Sequence, residues 1–332
     1  MNFPQEALYF SKGVEKMMST KLTTMLNIKY PILQGGMAWV SDGKLAAAVS
    51  EAGGAGIIAA GGRNAQWVGE QIRLAKTLTK KPFGVNVQLM AVDKEEIMNV
   101  ICQEKVAFVT LGAGNPIPFF SQLDQAGIKK IPVVPNVKLA KRVEEKGADA
   151  IVIEGMEAGG HIGALTTMAL MTQVIPAVDI PVIAAGGFAD GRGLAAALSM
   201  GASGIQMGTR FLVAEECAVH TNVKQKLISA TDIDSVVTGL LSGHAVRGVR
   251  NKFTDRFLEL ERQHTPEAEL AALATGTNRL AAIEGDVENG MVQAGQSLLP
   301  ITKIEPAKVI IENIMEEARL RIEALAKISH FL

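Results

Sequence analysis

The run Ala150-Ile151-Val152-Ile153 leads directly into Glu154-Gly155-Met156-Glu157-Ala158-Gly159-Gly160-His161-Ile162-Gly163, and the rest of the chain is organised around this stretch. The apolar run is typical of a buried strand. A helix-like pattern resumes near Leu165, so the ten residues from Glu154 form a loop at the strand's carboxyl end. Glycines let backbone approach a ligand closely, and histidine exchanges protons near neutral pH. By itself the stretch favours a flexible turn with an incidental histidine; the flanking pattern changes that interpretation.

On both sides of this stretch, short apolar runs alternate with longer segments of helical character. The predicted strands are Tyr30–Gln34, Gly56–Ala60, Phe83–Gln88, Val106–Thr110, Ile131–Val134, Ala150–Ile153, Val182–Ala185 and Gly204–Met207. The predicted helices between them are Gly43–Ala52, Ala65–Leu78, Lys94–Glu104, Pro118–Ala126, Lys138–Lys146, Thr167–Ala177 and Arg192–Met200. Continuously apolar strands between amphipathic helices indicate a parallel sheet covered on both faces. Eight evenly spaced units favour a closed (β/α)₈ TIM barrel, typically about 250 residues, over the alternative of an open doubly wound sheet.

The alternation stops after Gly208-Thr209-Arg210-Phe211. Residues 212–303 contain polar helical segments, such as Asp255–His264 and Glu267–Leu273, and predict a smaller helical domain inserted after strand eight. The helical spacing of apolar residues resumes in Pro306–Lys327, which predicts the eighth barrel helix. The expected organisation is therefore an N-terminal extension at 1–20, a barrel at 21–211 and 304–332, and an inserted domain at 212–303.

Composition excludes several classes of protein. The 332 residues carry a net charge of −1, which provides no electrostatic footprint for nucleic acid or an anionic membrane. Cys102 and Cys217 lie far apart without metal-ligand spacing, which fits a reducing compartment, and no other cluster predicts a metal site. No run is long and apolar enough to span a bilayer, and residues 1–20 lack the apolar core of a signal peptide. The chain is expected to be cytoplasmic.

Glycine and polar residues gather where the predicted strands end, which is where TIM barrels place their active sites. The segments concerned are Gln34–Met37, Gly61-Gly62, Asn86 with Gln88, Gly112–Asn115, the His161 loop, Ala185–Gly191 and Gly208–Arg210. Glycines needed only for tight turns would be scattered over both ends of the barrel. Their concentration at one end predicts close approach of backbone to a ligand.

The loops after strands seven and eight predict a phosphate site. Gly186-Gly187 and Gly208-Thr209 offer backbone N–H groups and one hydroxyl where barrels often hold a phosphate. The chain has neither a Walker lysine motif nor Gly-x-Gly-x-x-Gly after the first strand. We therefore expect a phosphorylated cofactor in the barrel mouth, with His161 as a general acid or base facing it.

The remaining charged candidates are Glu154, Glu157, His244 and Arg247. Glu154 either orients His161 or binds a ligand, because a carboxylate in an apolar run is costly unless it is hydrogen-bonded; an ordinary strand-end acid is equally compatible. Glu157 is expected to be structural. His244 and Arg247 would bind an anionic substrate or a second cofactor, although a solvated or packing pair is the favoured interpretation.

Taken in order, four segments resemble the FMN-dependent enoyl-acyl-carrier-protein reductase II family, which is related to the nitronate monooxygenases. The segments are Gln34–Val40, Glu154–Gly163, Ala184–Gly187 and Gly208–Phe211. The resemblance runs from about Lys21 to the C-terminus. Three further segments resemble the reductase branch in particular: Phe83–Asn86, Pro132–Pro135 and Gly243–Arg247.

The resemblance implies an FMN with its phosphate at Gly186, Gly187, Gly208 and Thr209. Its ring would lie along Gly35, Gly36 and Met37, with Asn86, Glu154 and Gly160 as further cofactor-binding residues. NADH or NADPH would reduce FMN, which would pass hydride to Cβ of a trans-2-enoyl thioester of acyl carrier protein or coenzyme A, in the last step of fatty-acid elongation. His161 would be the active-site histidine. The inserted domain would help enclose the nicotinamide and the acyl chain. A homodimer and stimulation by a monovalent cation are also implied.

Three alternatives stay open. A nitronate monooxygenase would use His161 as a base on a nitroalkane and O₂ to reoxidise the flavin. A dehydrogenase of the IMP type would share the phosphate loops but needs a catalytic cysteine near the barrel mouth, and neither cysteine is placed there. A non-enzymatic binding protein would not need a histidine among glycines.

Overall fold

The structure, a computed structural model, describes residues 19–328. The predicted N-terminal extension at 1–20 lies outside the described residues, except for Ser19 and Thr20. Within the described part the strands are β1 (Ile32–Gln34), β2 (Ile57–Ala59), β3 (Gly84–Gln88), β4 (Phe108–Gly112), β5 (Lys129–Val134), β6 (Ile151–Glu154), β7 (Gly160–His161), β8 (Val182–Ala185), β9 (Gly204–Met207), β10 (Ser235–Thr238) and β11 (Val246–Val249).

The helices alternate with these strands along the first two thirds of the chain. Within residues 19–328 they are α1 (Lys21–Leu26), α2 (Gly43–Glu51), α3 (Ala65–Leu78), α4 (Lys94–Glu104), α5 (Phe120–Ala126), α6 (Val137–Glu145), α7 (Thr167–Val174), α8 (Gly191–Ser199), α9 (Thr209–Leu212), α10 (Thr221–Ile228), α11 (Lys252–Arg262), α12 (Glu267–Ala274), α13 (Thr277–Glu284) and α14 (Ala307–Ile328). Short polar residues start several of them: the side chains of Asp42, Asn64, Asn136 and Asp190 accept hydrogen bonds from first-turn amides, which satisfies donors that the helix itself leaves unpaired. No helix in this part of the chain is long and apolar enough to cross a membrane.

Eight parallel strands form the predicted barrel. Their order is β1-β9-β8-β6-β5-β4-β3-β2, and a parallel bridge between Leu33 and Ala55 joins the two ends. Across this seam the Gln34 amide donates to the Ala55 carbonyl at 3.1 Å, and the Ala55 amide donates to the Ile32 carbonyl at 2.9 Å. The TIM-barrel prediction is therefore confirmed, because an open sheet would leave β1 and β2 apart.

The inside of the barrel is filled with apolar side chains and closed at the amino end by α1. One buried cluster takes inward residues from six strands: Leu33, Ile57, Phe108, Ile131, Val152 and Ile183. Leu22 and Leu26 of α1 belong to the same cluster, and the Thr20 hydroxyl donates to the Ser203 carbonyl, just before β9. Each fully buried Leu or Ile stabilises the fold by about 1.5–3 kcal/mol. The barrel is thus a packed core with its accessible mouth at the carboxyl end.

The C-terminal helix α14 takes the position predicted for the eighth barrel helix, packed against α8 and α2. Its apolar stripe, which includes Ile310, Ile314 and Ala318, is buried. Close packing requires Gly191 at the start of α8, since a Cβ there would lie 2.3 Å from the Ile314 carbonyl oxygen.

The segment between β9 and α14 holds more than the predicted helices. β10 and β11 form an antiparallel hairpin, and β11 also pairs with β7, so that Val246 lies opposite His161 and Arg247 opposite Gly160. This hairpin was not predicted: the sequence indicated an insertion made of helices alone. Strands of four residues show too little alternation to be recognised, and their pairing depends on a partner some 85 positions away along the chain.

Candidate active site

A cavity of about 500 Å³ lies at the carboxyl ends of the barrel strands. Barrel loops form one wall, and residues of the segment after β9 form the other. Its lining includes every residue predicted for catalysis or cofactor binding: Gly35, Gly36, Met37, Asn86, Glu154, Gly160, His161, Gly186, Gly187, Gly208 and Thr209. The structure therefore brings the whole predicted set into one cavity.

The loop after β1 is held in place from below by the buried side chain of Gln34. Gln34 Nε2 donates to Ser41 Oγ at 3.0 Å, and Gln34 Oε1 accepts from the Ile57 amide at 3.1 Å. Ser41 Oγ in turn accepts from the Met37 amide at 2.9 Å. Because these bonds leave the loop little freedom, the backbone of residues 35–37 is presented to the cavity as a fixed surface.

Gly36 and Asn86 meet at this surface. A Cβ at Gly36 would lie 2.4 Å from Cβ of Asn86, so the close approach of the two loops needs glycine. Asn86 Nδ2 donates to Thr110 Oγ1 at 2.9 Å, which orients the side-chain carbonyl of Asn86. A flat ligand could lie on this backbone with a fixed amide beside it.

The predicted phosphate loops have a glycine-dependent conformation. Gly186 and Gly187 have φ angles of 97° and 81°, a left-handed region that favours glycine. A Cβ at Gly186 would also lie 2.8 Å from the Gly155 carbonyl oxygen. Thr209 Oγ1 accepts from the Gly295 amide at 2.9 Å, which leaves its own proton available to a ligand. Backbone N–H groups and one hydroxyl form a suitable cradle for a phosphate.

Three titratable side chains line the cavity within the described residues: Glu154, Glu157 and His161. Glu157 is occupied, because its carboxylate accepts from the Thr167 amide at 2.9 Å and from Thr167 Oγ1 at 2.9 Å. Its predicted structural role agrees with this position at the start of α7. Glu154 and His161 are the two that are free to act.

Burial raises the pKa of Glu154 to about 7. Its side chain is half-buried at the end of β6, and no hydrogen bond of its carboxyl group falls within residues 19–328, so Glu154 does not orient His161 directly. A carboxyl group that is partly protonated near neutral pH can both donate to and accept from a ligand.

His161 stands at the mouth of the cavity on β7, with its side chain exposed. The pKa of His161 is lowered, mainly because surrounding protein desolvates the imidazolium and further because His244 lies nearby. The imidazole is therefore mostly neutral at pH 7, with one nitrogen that donates and one that accepts.

Arg247 and His244 lie outside this cavity. Arg247 is only 4% exposed; its Nε donates to the Met156 carbonyl at 2.8 Å and its Nη1 to Ser235 Oγ at 3.0 Å. His244 Nε2 lies 3.1 Å from a carboxylate oxygen of Glu267, with both side chains largely exposed. Arg247 is buried and links the His161 loop to the hairpin, whereas the side chain of His244 is exposed to solvent.

The segment from Met291 to Ser297, which no pattern in the sequence indicated as part of the site, crosses the mouth and contributes Gln293, Gly295 and Ser297 to the lining. A Cβ at Gly159 would lie 2.6 Å from the Ala294 backbone, so the segment lies directly on the His161 loop. The segment forms neither a helix nor a strand, so its sequence has no periodic signal. The one clue in the sequence is a glycine between two polar residues, Gln293 and Gln296, shortly before the last helix.

A planar phosphorylated cofactor such as FMN fits these residues. The cavity volume lies within the roughly 300–1,000 Å³ usual for ligand pockets, and both the glycine-rich loops after β8 and β9 and the fixed backbone of residues 35–37 line it. Neither Cys102 nor Cys217 lines the cavity, which argues against a cysteine-dependent dehydrogenase. The arrangement provides binding, orientation and one or two proton-active groups for redox chemistry that the cofactor supplies.

Comparison with known proteins points the same way. Residues 19–317 match a family described as nitronate monooxygenase. The FabK structure from Thermotoga maritima superposes with a TM-score of 0.90 and 45% identity, covering 93% of this chain and 99% of that one. A probable nitronate monooxygenase of Staphylococcus aureus is 33% identical over 90% of this chain and 96% of its own length. The (3aS,4S,5R,7aS)-5-hydroxy-7a-methyl-1-oxo-octahydro-1H-indene-4-carboxyl-CoA dehydrogenase of Rhodococcus jostii is 37% identical over 84% of this chain and 78% of its own length.

Proposed function

Because the chain belongs to the nitronate monooxygenase family, a superfamily of FMN oxidoreductases, we propose that it is an enoyl-acyl-carrier-protein reductase. In this proposal NADH or NADPH is the reductant and a trans-2-enoyl thioester is the substrate. The observation that carries the proposal is the likeness to FabK, an enoyl-acyl-carrier-protein reductase II, over nearly the whole of both chains. The Rhodococcus relative is named as the dehydrogenase of a carboxyl-CoA. Because a carboxyl-CoA is a thioester, this name supports a thioester substrate.

Bound FMN would supply hydride transfer from the nicotinamide to the enoyl Cβ. The Gly186-Gly187 and Gly208-Thr209 backbone would hold its phosphate, and Gly35, Gly36 and Met37 would support its ring beside Asn86. His161, which is open to the cavity, would in its protonated form donate a proton to Cα and then take up a proton from solvent. Glu154 would exchange a hydrogen bond with the bound cofactor. The segment from Met291 to Ser297 would limit the access of water to the reacting atoms.

A nitronate monooxygenase is the second candidate. The family and the Staphylococcus aureus relative carry that name. The same geometry would serve, because the acceptor nitrogen of His161 could remove a proton from the α-carbon of a nitroalkane. The two functions differ in what reduces the flavin.

Anaerobic stopped-flow absorbance separates the two candidates. The purified yellow protein is mixed with NADH or NADPH and then with crotonyl-coenzyme A. We expect rapid bleaching followed by return of the colour on addition of the thioester. A flavin that NAD(P)H barely bleaches, but that a nitroalkane or nitronate reduces, would replace the reductase with the monooxygenase.

Several features of this function stay predictions: the choice of nicotinamide, acyl carrier protein against coenzyme A as carrier, stimulation by a monovalent cation, the homodimer and a cytoplasmic location. So do the roles of the cavity residues and the bounds of the inserted domain at 212–303.

A further inference from the structure

Two tryptophans and two arginines form a cluster beside the barrel mouth. The Arg63 guanidinium lies over the Trp67 ring at 4.5 Å and over the Trp39 ring at 4.9 Å from the centroids. The Arg279 guanidinium lies over the Trp39 ring at 5.9 Å. We call Trp39, Arg63, Trp67 and Arg279 the Trp–Arg cluster. It joins the loops after β1 and β2 to α13 of the segment that follows β9.

The cluster is held in an uncommon backbone arrangement. Trp39 has a φ of 72°, a left-handed conformation that bulky residues rarely adopt. A Cβ at Gly62 would lie 2.4 Å from Cζ2 of Trp39, so the indole ring occupies space that only glycine leaves open. Arg63 Nη2 donates to the Trp39 carbonyl at 2.8 Å. Strained backbone that its surroundings hold in place is common at ligand sites.

Arg63 has more hydrogen-bond donors than partners. A guanidinium carries five N–H donors; within residues 19–328 the bond to the Trp39 carbonyl is the hydrogen bond of this side chain, and its buried Nε has no partner. Burial and then repulsion from Arg279 lower the pKa of Arg63, against a smaller attraction by Asp42. Arg279 is also paired with Glu284. Two neighbouring cations with unused donors suit an anion, and a phosphate above all.

An open groove connects Arg63 with the candidate active site. Arg63 and His161 both line it, together with Gly62, Asn64, Gln88, Met90, Ala91 and Asp93. The Met90 side chain is 74% exposed and gives the groove an apolar surface. A ligand whose reacting end lies at His161 could therefore extend its far end to the cluster.

We propose that the Trp–Arg cluster binds the phosphate-bearing tail of a cosubstrate whose reacting end lies at His161. This inference rests on the proposed function, in which two cosubstrates carry phosphate: the nicotinamide dinucleotide and the pantetheine-linked thioester. Their shared chemistry, a phosphate ester or diphosphate next to flat or apolar groups, is what stacked arginine and tryptophan side chains recognise.

Binding of the phosphate-bearing ligands to the flavin-loaded protein tests the proposal. Titration calorimetry with NAD⁺, NADP⁺ and coenzyme A is compared for wild type and Arg63→Gln. Crotonyl-N-acetylcysteamine, which has no phosphate, reports on the reacting end alone. Loss of charge-assisted hydrogen bonds should raise Kd by about ten- to a hundredfold for the ligand whose tail docks here, and leave the phosphate-free thioester unchanged.

Two further variants complete the design. Arg142→Gln, an exposed arginine on α6, should leave every Kd unchanged. Arg279→Gln, at an exposed position, should weaken the same ligand as Arg63→Gln and keeps the test valid if the latter fails to fold. An effect on the nicotinamide nucleotides alone identifies the reductant as the ligand, and an effect on coenzyme A alone identifies the thioester.

Equal Kd values in wild type and both cluster variants for every phosphate-bearing ligand, or no binding of any of these ligands by wild type at millimolar concentration, would overturn the proposal. Because these titrations require no turnover, an enzyme that proved unable to reduce enoyl thioesters would remove the proposed function without deciding this one.

Discussion

At the scale of single residues, the proposed chemistry of the cavity depends on His161 and Glu154; burial raises the pKa of Glu154 to about 7 and lowers the pKa of His161. Sequence reasoning identified both, because a histidine among glycines and a carboxylate in an apolar run are each unusual. It could not determine their contacts. That Glu154 stands free while Glu157 is tied to Thr167 depends on where α7 begins in space, which no local pattern records.

His161→Ala should lower turnover of an enoyl thioester by about 10²–10⁴-fold, the usual contribution of a positioned acid or base. Flavin content should stay normal, because the predicted cofactor contacts are mostly backbone. Steady-state rates and the flavin absorbance spectrum measure the two effects. His264→Asn is a matched control at an exposed position with a φ of 58°, and a rate unchanged in His161→Ala would remove this residue from the mechanism.

Glu154 should make stability depend on pH. Its pKa rises from 4.5 to about 7 on folding, so the folded protein binds the proton more tightly than the unfolded chain. The free energy of unfolding should therefore fall as pH rises from about 4.5 to about 7 and then level off. The total loss is on the order of 3 kcal/mol.

Glu154→Gln should remove most of this dependence. Thermal unfolding of the flavin-free protein at pH 5 and pH 8 would show a smaller change in Tm for the variant than for wild type. Glu145→Gln, at an exposed position on α6, serves as the comparison. Parallel Tm profiles for wild type and Glu154→Gln would show that burial does not shift this carboxyl group.

At the scale of elements, the barrel was predictable and the cover over its mouth was not. Barrel strands are buried on both faces and read as apolar runs in the sequence, and no observed strand bound differs from the predicted one by more than two residues. Among the described residues β10 pairs only with β11, whereas β11 and the Met291–Ser297 segment also contact the His161 loop, which is distant in the chain. Their own residues carry no period that would reveal this.

The link between these elements predicts a role for Arg247. Arg247→Met removes two hydrogen bonds that tie the His161 loop to the hairpin and leaves the Met156 carbonyl and the Ser235 hydroxyl without their donor. We expect a loss of about 2–4 kcal/mol in stability and a lower turnover, because β7 is less firmly held.

Thermal unfolding and turnover assays check this expectation. Arg250→Met, which breaks an exposed pair with Asp255 just after β11, should change stability by less than about 1 kcal/mol. If both variants behaved like wild type, Arg247 would not support the His161 loop.

At the scale of the whole molecule, the cavity joins the barrel to the segment that follows β9, for example where Thr209 meets Gly295. A cofactor bound there stabilises the complete fold, by about 2.7 kcal/mol at a free concentration a hundredfold above Kd. Excess FMN should accordingly raise the Tm of flavin-free protein by several degrees.

Gly187→Asp should abolish this rise, because a carboxylate would meet the phosphate. Gly147→Asp is the matched control: Gly147 also has a positive φ, 94°, and nothing lies within 4 Å of a Cβ there. It therefore reproduces the backbone strain without touching the cavity. Full stabilisation of Gly187→Asp by FMN would contradict the phosphate placement.

Helix α1 closes the amino end of the barrel, and this bears on the order in which the two partners of the proposed reaction bind and leave. With the barrel packed through its centre and sealed beneath by Leu22 and Leu26, the cavity opens only towards the carboxyl end in the described part of the chain. We propose that both partners of the proposed reaction enter from this end and occupy the cavity in turn, so that the spent nicotinamide leaves before the thioester binds. We expect double-displacement kinetics, with parallel double-reciprocal lines when one partner is varied at several concentrations of the other. Each partner should also inhibit turnover when present in large excess, because it then occupies the cavity at the stage when the other partner has to bind.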